Sequence, residues 1–433
     1  MVDAAEPLNR ALILWVVCEL APEAQVGGLG DVARTLPPLL RDAGLDVRVC
    51  VPKHRAFKKK PAVEGHVYYI DRPELFDRDG VYGSADDDAY RFGVFAQEAV
   101  VLAKRLGATV LHALDWQTAF VPVIATVPTI FTVHNVAYQG VVDSGVIPAL
   151  GLPWSVAGDD GLGFGWQKVN LLKGGVLAAD LVTTVSETHA KDIQTPEGGF
   201  GLHAAFAARA AEGALHGIMN GIDTRLWDPG AVTPGWKLEH RRALAEQFAL
   251  SDRPLLVSIG RLTEQKGIDV LIAAAREPSF SFDLFVLGTG DAALQTELQA
   301  LAAERPDRVR VAIAFDEALS RRALLAGDFF VMPSRFEPAG LAQLQAQRFG
   351  AVPIVRRTGG LAESVIDMGD PGGNGICFAD ASVASLSHAL GRARALWDDR
   401  SKYAALQSAA MAAKVDWRER VPKYLELYAR AAG

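Results

Sequence analysis

The stretch Ala11-Leu-Ile-Leu-Trp-Val-Val-Cys18 is a short β-rich apolar run, and the glycine-rich segment Gln25-Val-Gly-Gly-Leu-Gly-Asp31 follows it. Residues 31–43 then carry apolar side chains at helical spacing, and Val47-Arg-Val-Cys-Val-Pro52 is a second strand-like run. Strand, loop, helix and strand in this order within about 40 residues indicate a βαβ unit. The stretch therefore predicts a parallel sheet, because two parallel strands must be joined by a crossover connection.

The same order of elements recurs in both halves of the chain. Strand-like runs separated by helical or irregular stretches lie at residues 108–114, 128–135, 179–186, 254–260, 282–288, 308–314, 328–333 and 352–357. Such alternation is typical of parallel sheets with helices on both faces. We therefore predict two doubly wound α/β domains that face each other across a cleft, with a boundary between Trp236 and Arg253. In such folds, ligands bind at the carboxyl ends of the strands.

The composition limits the classes of ligand. The 44 Lys and Arg residues against 51 Asp and Glu residues leave a formal charge of −7, so no global positive field favours nucleic acid or an anionic membrane. Any anionic ligand must be held by local cations and backbone amides. The three cysteines, Cys18, Cys50 and Cys377, are too few and too scattered for a disulfide framework or a four-ligand zinc site.

The sequence also predicts the compartment. The first ten residues, MVDAAEPLNR, carry acids and no cleavage motif, so we expect no signal peptide. The longest charge-free window, Trp116 to Val142, contains Pro122 and Pro128, which break any membrane-spanning helix. Together with the low cysteine content, these features predict a cytoplasmic protein in a reducing compartment.

Two loops that follow predicted strands carry residues suited to a phosphate ligand. Gly27 and Gly28 allow close backbone approach, and the helix after them offers N–H groups to an anion. A purely structural glycine turn explains this pattern equally well, and the spacing is not that of a dinucleotide-binding fingerprint. In the second loop, Arg261 and Lys266 are placed to clamp a diphosphate, with a solvated loop as the alternative.

A third loop carries the acid Glu337, which is followed by proline and glycine and is placed to hydrogen-bond sugar hydroxyls. Just beyond it, Thr358, Gly359 and Gly360 form another turn before a helix, where the backbone could hold an anion.

Two more predicted strands end in the polar residues Asp115 and His134, which are either structural or catalytic. The sequence contains no GxSxG, HExxH or Walker motif. The absence of these motifs argues against serine-hydrolase, zinc-protease and P-loop chemistry.

In combination, these segments resemble those of bacterial glycogen (starch) synthases over nearly the whole chain, from Ala11 to Tyr428. The similar stretches occur in one order: ELAPEAQVGGLGDVARTLP, HALDWQTAFVP, FTVHNVAYQG, NLLKGGVLAADLVTTVS, GIMNGIDTRLWDP, GRLTEQKGIDVL, VLGTGD and PSRFEPAGLAQLQAQRFGAVPIVRRTGGLAESVID. Each stretch alone is weakly or moderately specific, whereas the ordered set is very specific.

The resemblance implies a GT-B fold, in which two Rossmann-like domains, residues 1–245 and 246–415, close over a nucleotide-sugar. It implies that residues 416–433 form a C-terminal helix that crosses back to the first domain. The family transfers glucose from ADP-glucose to the non-reducing end of an α-1,4-glucan, with retention of configuration and without metal. The implied partners are a nucleotide-sugar donor and an α-glucan or maltooligosaccharide acceptor, and neither nucleic acid nor membrane.

The resemblance also implies roles for individual residues. Arg261 and Lys266 would neutralise the donor diphosphate, and Glu337 would bind the glucose hydroxyls and stabilise an oxocarbenium-like state. His134 and Asp115 would lie near the sugar and the incoming hydroxyl. The other implied donor-binding residues are Gln25, Gly27, Gly28, Asp31, Asn220, Thr358, Gly359 and Gly360.

The implied chemistry agrees with elementary electrostatics. Departure of the nucleotide places negative charge on the diphosphate, so fixed cations stabilise the transition state selectively. Retention by double displacement requires a second carboxylate, and no such pair is apparent in the sequence. A same-face mechanism, in which the departing phosphate accepts the acceptor's proton, requires only positioning and electrostatics.

The chain departs from the family in the glycine-rich loop, where Gln25 replaces a lysine. Loss of one charge-assisted contact costs roughly 1.5–3 kcal/mol, or about 10- to 100-fold in rate if it is felt in the transition state. Ala339 replaces the family's cysteine, which is a milder change, and the loops around Lys58–Ala96 are short. Two alternatives therefore remain: a related glucosyltransferase with another donor or a small acceptor, as in maltose 1-phosphate formation, or a weakly active or inactive glucan-binding paralogue.

Overall fold

The computed structural model describes residues 11–233 and 235–433, and its contacts divide the chain into two units. The first unit comprises residues 11–220 and 417–433, and the second comprises residues 221–416. The expectation that the first ten residues form no signal peptide lies outside the described residues.

The first unit is built on an eight-stranded sheet, and a separate pair of short strands lies in the connection after its sixth strand. Its elements before the division are β1 (Leu12–Val16), α1 (Gly28–Asp42), β2 (Asp46–Pro52), β3 (Val63–Glu64), β4 (Val67–Ile70), α2 (Pro73–Phe76), α3 (Ala85–Leu106), β5 (Val110–Leu114), α4 (Phe120–Ile124), β6 (Thr129–Val133), β7 (Val141–Asp143), α5 (Val146–Ala149), β8 (Lys168–Asn170), α6 (Leu171–Ala178), β9 (Leu181–Thr184), α7 (Glu187–Asp192), α8 (Pro196–Gly199), α9 (His203–Ala211) and β10 (Leu215–Gly217).

The strand order of the first sheet is β10-β9-β6-β5-β1-β2-β4-β3, and every pair is parallel except β3 with β4. The predicted βαβ unit is confirmed, with Leu12 opposite Asp46 and Val16 opposite Cys50. All residues of β1, β5 and β6 are buried, as expected of β-rich apolar runs that helices cover on both faces. The order of strands reverses between β1 and β5, which makes this the topological switch point.

The second unit has a six-stranded sheet. Its elements are α10 (Trp236–Phe248), β11 (Leu255–Ile259), α11 (Ile268–Arg276), β12 (Asp283–Gly288), α12 (Ala292–Glu304), β13 (Val309–Ile313), α13 (Glu317–Ala326), β14 (Phe329–Met332), α14 (Ala342–Arg348), β15 (Val352–Arg356), α15 (Gly359–Ser364), β16 (Ile376–Phe378), α16 (Val383–Asp398) and α17 (Arg400–Met411). The order β13-β12-β11-β14-β15-β16 is parallel throughout and is that of a Rossmann sheet, with its switch point between β11 and β14.

The division between the units comes earlier in the chain than the predicted boundary at 245/246. Residues 221–245, including most of α10, belong to the second unit, where α10 packs against α13. Arg241 of α10 explains this placement, because its guanidinium lies 2.8 Å from the Asp328 carboxylate and 3.3 Å from the Asp283 carboxylate. Both acids are buried. Burial raises the pKa of Asp328, and Arg241 opposes this shift.

The last helix, α18 (Val421–Ala432), belongs to the first unit and is shorter than the helix over residues 416–433 that the resemblance implied; Asp416 belongs to the second unit. The helix packs against α1 and β5. Tyr428 is completely buried in this helix, and its hydroxyl accepts a hydrogen bond of 2.7 Å from the Trp15 indole of β1. The end of the chain is therefore part of the core of the first unit.

Two further findings concern the described residues as a whole. No helix in the described parts of the chain is long and apolar enough to cross a membrane. Cys18, Cys50 and Cys377 are buried and form no disulfide. The cytoplasmic location predicted from the sequence stays a prediction.

The contacts of Arg241 lead to a prediction about stability. We expect Arg241→Met to lower the free energy of unfolding by about 3 kcal/mol, because two buried carboxylates lose their shared partner. The matched control is Arg242→Met, whose side chain is exposed and whose loss should change stability by less than about 0.5 kcal/mol. Urea unfolding of both variants checks the difference, and equal stabilities would contradict the structural role of Arg241.

Candidate active site

Most of the residues singled out in the sequence follow strands at the two switch points. The glycine-rich loop follows β1 and Asp115 follows β5, whereas Arg261 follows β11 and the loop of Glu337 follows β14. In open parallel sheets, the loops diverge at these points and leave a crevice for a ligand. Each unit therefore carries its own candidate site, and the two are described separately.

Glu19, which the sequence analysis did not identify, holds the glycine-rich loop. Its side chain is buried, and Oε2 accepts hydrogen bonds from the backbone N–H groups of Val26 at 2.8 Å and Gly27 at 3.1 Å. Oε1 accepts a hydrogen bond from the hydroxyl of Tyr82. An acid directly after an apolar strand and before a glycine turn is the signal that could have revealed this role, because a buried carboxylate requires donors nearby.

Gln25 is bonded within the same loop. Its amide Nε2 donates to the Asp31 carboxylate at 2.9 Å and to the Gly27 carbonyl at 3.2 Å. Asp31 lies in the first turn of α1, which begins at Gly28, three residues before the predicted start. The negative charge of Asp31 is favourable there because it faces the positive end of the helix dipole. In this structure Gln25 therefore stabilises the conformation of the loop itself.

Asp115 has a strained backbone at the end of β5. Its φ of 61° and ψ of 173° fall in a region that residues other than glycine rarely adopt. A backbone conformation of this kind costs on the order of 1–3 kcal/mol. Its N–H donates to the Thr132 carbonyl at 2.9 Å, and its Oδ1 accepts from the His134 N–H at 2.6 Å. Burial raises the pKa of Asp115 to about 7; the His134 N–H opposes the shift and Glu19 adds to it.

Two of the predicted site residues in this unit have buried polar atoms without a hydrogen-bond partner among the described residues. They are Nε2 of His134 and Oδ1 of Asn220. Burial lowers the pKa of His134 to about 4, so its imidazole is neutral at physiological pH. Leaving a buried polar atom without a hydrogen bond lowers stability by about 1–3 kcal/mol. Such atoms near the carboxyl ends of strands indicate a binding site in which a polar ligand supplies the missing hydrogen bonds.

In the second unit, the structure brings Lys266 and Glu337 into direct contact. The ammonium lies 2.5 Å from Oε2 of the carboxylate, and the two side chains are 17% and 6% exposed. The hydroxyl of Ser334 donates to the same oxygen at 3.2 Å. Arg335 anchors this loop to α11 through two hydrogen bonds of 2.7 Å to Asp269. The alternative of a solvated loop therefore does not hold for Lys266, which forms a largely buried ion pair.

Arg261 lies on the same loop as Lys266 and contacts Gln265 at 3.3 Å. Gln265 in turn donates to the carbonyl of Phe336, so the two loops are linked. A small pocket lies where they meet, between the ends of β11 and β14, and its lining includes Gly260, Arg261, Lys266 and Pro333. The pocket therefore has two cations at its wall.

The glycine pair after β15 has a steric role. Gly359 has a φ of 45°, and a Cβ there would lie 2.0 Å from the Glu337 carbonyl oxygen; a Cβ on Gly360 would lie 2.4 Å from Cα of Ala339. The Gly360 N–H donates to the Glu337 carbonyl at 3.0 Å. This N–H is therefore engaged within the protein, and the prediction that Gly360 contacts the donor through its backbone stays a prediction. Donor contacts from Thr358 and Gly359 stay predictions.

Known protein families match both parts of the chain. Residues 12–208 match the starch synthase catalytic domain, and residues 240–410 match the glycosyl transferases group 1 domain. Glycogen synthases of Anaeromyxobacter dehalogenans (strain 2CP-C) and Anaeromyxobacter sp. (strain Fw109-5) are 39% and 38% identical, and in each case the match covers 96% of this chain and 98% of the relative. The chain belongs to the glycogen (starch) synthase family.

A solved structure supports the same assignment. The catalytic domain of starch synthase IV from Arabidopsis thaliana, bound to ADP and acarbose, has a TM-score of 0.89 and 31% identity, and the match covers 98% of this chain and 99% of that domain. As a member of the glycogen synthase family, the chain is a glycosyltransferase with two Rossmann-like units of the GT-B fold.

The position of Gln25 in this family leads to a second prediction. We expect Gln25→Lys to raise kcat/KM for ADP-glucose by about tenfold, equal to roughly 1.4 kcal/mol for one charge-assisted phosphate contact. Gln25→Met is the control, because it removes the bonds to Asp31 and Gly27 without adding charge, and should lower kcat/KM. A slower Gln25→Lys enzyme would contradict the prediction and indicate that Asp31 captures the new cation.

Proposed function

We propose that this protein transfers glucose from ADP-glucose to the non-reducing end of an α-1,4-glucan, with retention of configuration and without a metal ion. Its glycogen synthase relatives support the classes of donor and acceptor, and the ADP bound to the Arabidopsis enzyme supports the adenine nucleotide. The observation within this chain that carries the proposal is the Lys266–Glu337 ion pair, with Lys266 lining the pocket between β11 and β14.

In this proposal, Arg261 and Lys266 bind the donor diphosphate. An ammonium has three donor hydrogens, so Lys266 can contact phosphate while it remains bonded to Glu337. Negative charge develops on the diphosphate as the bond to glucose breaks, and both cations then interact more strongly than in the ground state. Thr358 and Gly359 add backbone contacts to the donor.

Glu337 faces the glucose and stabilises positive charge at its anomeric carbon. Both side-chain contacts described for Glu337 use Oε2, so Oε1 is assigned to a glucose hydroxyl. The bond from C1 to the phosphate oxygen breaks while the bond from C1 to the acceptor oxygen forms on the same face. The acceptor's proton passes to the departing phosphate oxygen, so that no second carboxylate is needed.

The first unit supplies further groups that contact the sugars. The unpaired Nε2 of His134 and Oδ1 of Asn220 are suited to sugar hydroxyls, since a neutral imidazole nitrogen can donate or accept and an amide oxygen accepts. Asp115, whose pKa of about 7 leaves it partly ionised at neutral pH, orients the incoming hydroxyl. Gly27, Gly28 and Asp31 shape the loop that contacts the phosphates.

Glucosyl transfer from labelled donors tests the function directly. With ADP-glucose and glycogen we expect label in the polymer, and less with UDP-glucose. Product formed only with glucose 1-phosphate as acceptor would favour maltose 1-phosphate formation. Glycogen binding without any transfer would favour an inactive paralogue, for which the internal bonds of Gln25 would be the structural reason.

The ion pair leads to a prediction that separates binding from turnover. We expect Glu337→Gln to lower kcat at least 100-fold with ADP affinity within threefold, because Glu337 contacts glucose. Lys266→Met should weaken ADP binding about tenfold, since it removes a charge-assisted phosphate contact. Glu264→Gln is the control, an 83% exposed acid on the same loop. Calorimetry with ADP and initial rates check the split, and equal losses of ADP affinity and kcat in Glu337→Gln would contradict it.

A further inference from the structure

A buried series of hydrogen bonds joins the C-terminal helix to the sheet of the first unit. Trp15 Nε1 lies 2.7 Å from the Tyr428 hydroxyl, which lies 2.7 Å from His112 Nδ1. His112 Nε2 lies 2.6 Å from the Thr132 hydroxyl, which lies 2.5 Å from the Thr183 hydroxyl. All five side chains are at most 3% exposed. The series spans α18 and four neighbouring strands.

The chemistry of the groups fixes the direction of the first bond and couples the others. An indole nitrogen only donates, so the Tyr428 oxygen accepts from Trp15, and we assign the Tyr428 hydrogen to the bond with Nδ1 of His112. The imidazole then carries its hydrogen on Nε2 and donates it to Thr132, which donates to Thr183. His112 is neutral, because burial lowers its pKa to about 3. In this arrangement the Tyr428 hydroxyl selects the tautomer of His112 and, through it, the orientation of the Thr132 hydroxyl.

The series passes beside the candidate site at Thr132. The carbonyl of Thr132 accepts the N–H of Asp115, and two residues further along the chain the His134 N–H binds the Asp115 carboxylate. The backbone of Asp115 is strained, and such a conformation persists only where the surrounding structure enforces it. The position of Thr132 is therefore coupled to that of both site residues.

We propose that Tyr428, on the C-terminal helix, is a positioning residue for glucosyl transfer that acts through His112 and Thr132 on Asp115 and His134. The inference rests on the roles given to Asp115 and His134 in the proposed function. Tyr428 touches neither substrate in this account. Its effect is on kcat, because Arg261 and Lys266, which the proposed function assigns to the donor diphosphate, belong to the second unit and lie outside the series.

Tyr428→Phe tests the proposal, because it keeps the buried ring and removes only the hydroxyl. We expect kcat to fall about tenfold with KM for ADP-glucose within twofold. Tyr424→Phe is the matched control, a buried tyrosine on the same helix outside the series, and should keep wild-type kcat. A purely structural role would lower the melting temperature of Tyr428→Phe but leave kcat of the folded enzyme unchanged, and that result would overturn the proposal.

A second pair of variants decides the question if Tyr428→Phe does not fold. Thr132→Val removes the hydroxyl at nearly constant volume and should reproduce the fall in kcat, whereas Thr132→Ser retains the hydroxyl and should keep kcat. Equal rates in the two variants would overturn the proposal.

Two further results distinguish this failure from that of the proposed function. No transfer by the wild-type protein would overturn the proposed function, whereas a fully active Asp115→Asn enzyme would overturn the role of Asp115 and with it the positioning role. A slow Asp115→Asn enzyme beside a fully active Tyr428→Phe enzyme would overturn the positioning role alone.

Discussion

Parallel strands that helices cover on both faces expose their polar backbone only at their ends, and this constraint organises both units. The strand order reverses between β1 and β5 and again between β11 and β14, so the loops diverge at these two points. Apart from Thr358, Gly359 and Gly360, which follow β15, and Asn220, which follows β10, the candidate residues follow these strands or the adjacent β6. A ligand can therefore make many polar contacts at these strand ends without disturbing the apolar interior around either sheet.

At each of these strand ends, individual buried side chains hold the loop in its conformation. Glu19 binds two backbone N–H groups of the glycine-rich loop, and Lys266 and Ser334 both bind Glu337. A buried charge without partners is costly, so each of these groups requires its neighbours to stay in place. The sites are therefore organised before a substrate binds, which lowers the ordering cost of binding.

Hydrogen bonds connect the strained residue Asp115 of the candidate site to the interior of the first unit. Its unfavourable backbone is held by the Thr132 carbonyl and by the bond between its carboxylate and His134. Thr132 is in turn bonded through His112 to Tyr428, near the end of the chain. The last helix, through Tyr428, thereby contributes to the geometry of Asp115 and His134, which are more than 290 positions away in the sequence.

The sequence by itself determined the alternation of strands and helices in both halves and the strand-end positions of Arg261, Lys266, Glu337, Asp115 and His134. These features are local, because hydrophobic periodicity and a polar residue after an apolar run lie within a few neighbouring residues. Only the tertiary structure decided that α10 belongs to the second unit, through Arg241, Asp283 and Asp328. It alone also decided that Glu19 binds the glycine-rich loop, that the Gly360 N–H is already engaged, and that Tyr428 reaches His112. Except for Glu19, each of these contacts joins residues that are well separated along the chain, and the order of strands in the sheet, which no local pattern encodes, brings them together.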